Sequence, residues 1–199
     1  MNIIEKVVGY DAREAIKKES NWATERKETY LLKDDVIKPL SIDPHVWPIY
    51  SEEKLQATRN MLSNDYKMWD SLDLLIDNLP SDKFKSDYSV AAFTIVLNAG
   101  ETDGYQKYFM PPVTSPSAID ANWTFMGFDI ADTGLISGIT NYGYEQNSAS
   151  SLKKKWRNEL NKYHLLKRIE SAYELKKITC ERTVEHNSFF LYGVYIVNN

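Results

Sequence analysis

Cysteine is nearly missing from this chain: Cys180 stands alone among 199 residues. No disulfide can form within one copy, and a lone thiol fits a reducing compartment. Histidine is almost as scarce. His45, His164 and His186 have no second ligand at metal-binding spacing, so no metal site is expected. No run approaches the ~18 apolar residues that a membrane-spanning helix needs. The opening residues, MNIIEKVVGYDAREAIKKES, lack a basic stretch followed by an apolar one. No secretory signal is therefore expected, and the protein reads as soluble and cytoplasmic. Catalytic signatures are absent too: GxSxG, the Walker phosphate loop, GxGxxG, HExxH and paired cysteines do not occur. There is no internal repeat and no low-complexity segment.

What the chain does have is core-forming material and an abundance of rings. At 43% hydrophobic and 26% charged residues it can bury a sizeable core, and its length suits a single domain. Its thirteen Tyr and five Trp either half-bury in that core or anchor a binding surface. Charge is unevenly spread. Residues 65–145 hold twelve acids against four bases, and residues 150–182 hold ten Lys/Arg against four Asp/Glu. An acidic middle disfavours nucleic acid as a ligand and suits a basic partner protein. Solvated helix faces would produce the same asymmetry without any partner.

The chain is organised around residues 123–144, WTFMGFDIADTGLISGITNYGY, which hold four of the eight glycines. Trp123 to Ile130 has strand composition, Asp132-Thr133-Gly134 reads as a turn, and Leu135 to Tyr144 continues as a second strand or a glycine-broken helix. Earlier, Ile3 to Val8 suits a strand or a helical turn, and Asp11 can cap a short helix over 12–18. Pro39, Pro44 and Pro48 punctuate an irregular connection. Ser51 starts a helical region with an interruption at 63–65, and a second helix runs from about 65 to 79 before Pro80. Tyr88 to Leu97 is β-branched enough for a buried strand, and residues 100–122 form a long loop. A helix from about 151 to 177, bent near His164, presents Leu152, Trp156, Leu160 and Tyr163 on one face. Phe189 to Val197 is the final strand, its central Gly193 marking a bulge or a close backbone contact. The expectation is an α+β domain. Its central, mainly antiparallel sheet comes from 88–97, 123–130, 135–144 and 189–197, covered by helices over about 51–79 and 151–177.

Few residues offer chemistry. Asp129 and Asp132 in GFDIAD are the best carboxylate pair, able in principle to hold Mg²⁺ or to act as acid and base. Their structural alternative is that Asp132 starts the turn and Asp129 caps a backbone amide. Glu101 and Asp103 form a weaker pair in the long loop. Cys180 and His186 lie six residues apart in a polar connection, where an ordinary thiol is the default. Lys153, Lys154, Lys155 and Arg157 can face phosphate or simply solvent. The alternative to catalysis is a partner-binding surface of rings and acids: Glu101, Asp103, Tyr105, Tyr108, Asp129, Asp132, Tyr142, Tyr144 and Glu145.

At GFDIADTGLISGITNYGY, together with the closing HNSFFLYGVYIV, the chain resembles bacterial immunity proteins of the contact-dependent growth inhibition and polymorphic-toxin systems. That resemblance implies a small, single-domain cytosolic protein. It would bind and block a cognate, basic toxin domain, a nuclease being the expected kind, by covering its active site. It also implies no enzymatic activity, no cofactor, no nucleic-acid partner and no membrane partner, and it carries no functional residues over by position. The competing reading is a small metal-dependent hydrolase using Asp129 and Asp132. A phage or host interaction module cannot be separated from the immunity reading at this level.

Overall fold

The computed structural model describes residues 3–14, 40–42, 68–79, 88–98, 118–132, 135–139, 156, 158–182 and 189–198. They form four strands and two helices: β1 (Ile3–Glu14), α1 (Leu72–Asn78), β2 (Tyr88–Asn98), β3 (Thr124–Ala131), α2 (Ile169–Arg182) and β4 (Phe190–Ile196). The strands make one antiparallel sheet in the order β1-β2-β4-β3. Mixed α+β architecture is thus observed.

Sequence explains which strands lie inside. The run Val90–Leu97 of β2 is buried at every position, and β4 is buried from Phe190 to Val194. A strand apolar on both faces is stable only with packing on both sides and neighbours on both edges. Alternation then divides the side chains. Ala91, Phe93, Ile95 and Leu97 of β2 share one face with Tyr192 and Val194, against Leu40, Ile42, Met68 and Leu165. Val90 and Ala92 point the other way, into a cluster with Tyr10, Trp69 and Leu75 of α1. Val96 also points that way, joining Leu191, Ile130, Trp156 and the α2 residues Ala172 and Leu175.

Both outer strands are bulged. The register shifts between Val7 and Gly9 in β1, and between Phe125 and Gly127 in β3. Gly127 has φ +141°, a conformation that side chains rarely adopt, and an added Cβ would lie 2.7 Å from Leu165 Cβ and 2.8 Å from the Leu166 carbonyl oxygen. The bulge lets residues 165–166 close on β3, where Phe128 and Leu166 exchange N–H···O bonds of 2.8 Å.

Four sequence expectations are corrected. The fourth strand of the described sheet is β1; of the expected strand 135–144, Leu135 to Ile139 forms a turn bridged from Ser137 to Ala131, and 140–144 lie outside the described residues. Asp11 caps no helix, because residues 11–14 continue β1. Asp11 and Arg13, two apart and so on one face, make a buried ion pair at 2.8 Å, with Arg13 over the Phe93 ring. The second helix does not reach back to 65. Trp69 instead pairs with Tyr10 through bonds of 2.8 and 2.9 Å, and α1 starts after Ser71, whose hydroxyl caps Leu74 N–H. The later helix is broken rather than bent. His164 takes φ 67°, and Asn161 holds the reversal by accepting from Tyr163 and Leu165 N–H while donating to the Met126 carbonyl.

Candidate functional site

Asp129 sits on β3 opposite Tyr192, fully buried, and four donors converge on it. Oδ1 accepts from Ile130 N at 2.8 Å and Ser137 Oγ at 2.6 Å. Oδ2 accepts from Ser41 Oγ at 2.8 Å and Ile42 N at 3.0 Å. A carboxylate has about four acceptor positions. All are spent on the fold in the ionised form, leaving none for a metal ion. Asp132 is also buried. Its carboxylate accepts from Ile136 N at 2.9 Å, while its own N–H and C=O close the turn with Ile136 and Leu135. The cap-and-turn alternative is the arrangement observed. Asp129 and Asp132, expected in a partner-binding surface, are 0% and 5% exposed, each accepting from donors folded over it.

Asp129 also reaches far along the chain. Ile42 N–H goes to Asp129 on one outer strand, and Ile42 C=O accepts from Arg13 Nη2 at 3.3 Å on the other. Residues 40–42 are thereby strapped across one face of the sheet, with Leu40 N–H bonded to the Tyr163 carbonyl. Burial pushes Asp129 up to about 6, against the pull of hydrogen bonds from Ser137, Ser41, Ile42 and Ile130. The folded carboxyl then holds its proton at pH values where the unfolded one, at 3.8, has released it. Stability should therefore rise as pH falls from about 6 to about 4 and stay flat above 6, by up to ~3 kcal/mol from this group. Urea unfolding midpoints across pH 4–8 would check this against Asp129→Asn, which lacks the titration; identical profiles would sink the assignment.

Of the other residues expected to bind a partner, Glu101, Asp103, Tyr105, Tyr108, Tyr142, Tyr144 and Glu145 lie outside the described residues. A second constellation was not anticipated. On the sheet face opposite residues 40–42, Glu5, Thr94 and Gly193 lie side by side on β1, β2 and β4. Glu5 Oε1 accepts from Thr94 Oγ1 at 2.5 Å and from Tyr195 Oη at 2.8 Å. Gly193 makes this possible, since a Cβ there would come within 2.5 Å of Thr94 Oγ1 and 2.6 Å of Glu5 Oε1. Burial, then the bond and charge of Glu5, raise the Tyr195 phenol, so it stays a donor. Beyond Tyr195 runs a ladder of rings. Phe125 lies 5.2 Å from Tyr195 and 4.8 Å from Phe128; Trp123 lies 6.3 Å from Tyr195 and 5.8 Å from Tyr10. Phe125 is 42% exposed, and Trp123, Phe128 and Tyr195 are half-buried. The marker available in the sequence was Gly193, flagged for a close contact; the contact is real, although the bulges lie on β1 and β3.

Exposed acids accompany this strip. Asp70, Asp73 and Asp77 on and before α1, and Asp120 ahead of Trp123, are all exposed, as is Leu74. In α2, Lys177 lies 4.0 Å from Glu181, and just ahead of that helix Arg168 is paired with Glu159 at 2.8 Å. Lys153, Lys154, Lys155 and Arg157 lie outside the described residues. Among the described residues no His, Cys, Asp and Glu cluster could hold a metal ion, and no helix is long and apolar enough to cross a membrane. Comparison with family models, with curated proteins and with solved structures finds no match.

Proposed function

We propose that this chain is a binding protein that blocks a basic protein partner, acting as the immunity protein of a bacterial toxin domain. In this reading it is an α+β domain with helices over its sheet, it neutralises by occlusion, and a nuclease domain is the expected target. The observation that carries it is the ring ladder from Trp123 to Phe128 ending on Glu5, flanked by exposed Asp73, Asp77 and Asp120. Half-exposed aromatic rings supply buried area with little side-chain entropy lost, and acids at the rim steer a cationic partner. Asp129 gives the hydrolase reading no support, because its oxygens are occupied by the fold.

The test is co-expression with the C-terminal domain encoded by the neighbouring upstream reading frame. Growth should be restored and a stoichiometric complex recovered. The complex should weaken by on the order of tenfold between 50 and 500 mM salt, as expected when rim charges set association. Failure of both rescue and capture would reject the reading for that pair.

A further inference from the structure

Glu5 is a half-buried carboxylate, and among the described residues no Lys, Arg or His pairs with it. Lys6, the next residue, points to the opposite sheet face by strand alternation. Both hydrogen bonds fall on Oε1, so Oε2 is left open. Thr94 and Tyr195 both donate to the carboxylate, and the Phe125 ring lies 5.2 Å from that of Tyr195. Partial burial raises the cost of an unmatched charge, and the cost is recovered when a cation arrives. The faces of half-buried rings nearby attract that same cation.

We propose that Glu5 and the Tyr195 and Phe125 rings form a receptor for one guanidinium group, carried by an arginine side chain of the partner. Arginine fits better than lysine because a planar guanidinium can donate to Oε2 and stack on a ring together. The occupant follows from charge: Glu5 has no cationic partner among the described residues, and Asp70, Asp73, Asp77 and Asp120 add exposed negative charge. Its identity as a partner's side chain rests on the proposed function, while the receptor itself does not.

Two arms separate these. In the first, N-acetyl-arginine amide is titrated into the ¹⁵N-labelled protein. Saturable shifts should appear at Glu5, Thr94, Gly193, Tyr195 and Phe125, with a Kd on the order of millimolar. Glu5→Gln keeps an oxygen for Thr94 and Tyr195 and removes only the charge. It should weaken binding about tenfold with the melting temperature unchanged, and Phe125→Ala should weaken it about fivefold. Unsaturable or scattered shifts, or equal binding by Glu5→Gln, would overturn the receptor. In the second arm, Glu5→Gln is tested for capture of the co-expressed domain. Wild-type capture that Glu5→Gln leaves intact overturns the proposed occupant and spares the function. Glu5-dependent binding of the amide without any capture rejects the function for that pair and spares the receptor.

Discussion

Asp129→Ala is expected to lower stability by about 4 kcal/mol, because it strips the acceptor from four buried donors at once. Ser41 and Ile42 would lose their tie to β3, and Ser137 would lose its anchor, although its hydroxyl still accepts from Ile139 N–H at 3.1 Å. Asp129→Asn is the informative companion. Its one oxygen satisfies one side of the carboxylate, while its amide hydrogens face either Ile42 N–H or Ile130 N–H, both donors. That mismatch should cost roughly 2 kcal/mol. Urea titrations measure both: the midpoint should fall while the slope stays constant. A loss under ~1 kcal/mol for Asp129→Ala would mean that residues 40–42 are held chiefly by their apolar contacts.

Gly127→Ala should be nearly as damaging for a different reason. The backbone sits at φ +141°, where any side chain is strained by about 1–3 kcal/mol. The new methyl would also press on Leu165 Cβ, the Leu166 carbonyl and Asn161 Nδ2, at 2.7, 2.8 and 3.1 Å. Leu166 O cannot retreat without breaking its bond to Phe128 N–H, and Asn161 is already fixed to Met126 O. Strain and overpacking together predict about 3–5 kcal/mol. For a chain of this length that lowers the melting temperature by on the order of 10 °C. A melt within ~2 °C of wild type would show that residues 161–166 move aside freely.

The three strands written in β-branched and aromatic residues were legible. Residues 88–97, 123–130 and 189–197 read as strands because burial on one or both faces demands such side chains. β1 was ambiguous for a physical reason. Its inward positions include Asp11 and Arg13, which neutralise each other in the core, so a buried strand displays the polarity of a helix cap. Trp69, Leu72 and Ile76 have helical spacing, yet Trp69 is committed to pairing with Tyr10 before the helix begins. The helix over 151–177 hid its break because Leu160, Leu165 and Leu166 are all apolar, whereas φ at His164 is not written in hydrophobicity. For the sites, the turn role of Asp132 was visible in the residues beside it. The donors of Asp129 were not, since Ser41 and Ile42 lie 88 and 87 positions away in the chain. Glu5 could not be singled out either. Its part depends on the register that sets Val7 beside Thr94 and Thr94 beside Gly193.

The position of β4 bears on how the molecule is made. It follows the other three strands in the chain yet lies between β2 and β3, with Ile196 opposite both Ala91 and Thr124. During synthesis β1 and β2 can pair as soon as they leave the ribosome, but β3 has no sheet neighbour until residues 190–196 emerge. Until then the edges of β2 and β3 that will receive β4 present unpaired backbone to their surroundings. Closure is a late, long-range step, which slows folding and lengthens exposure to aggregation. Chaperone demand should concentrate in that interval, and slow codons placed just before Phe190 should lower soluble yield although they change no residue.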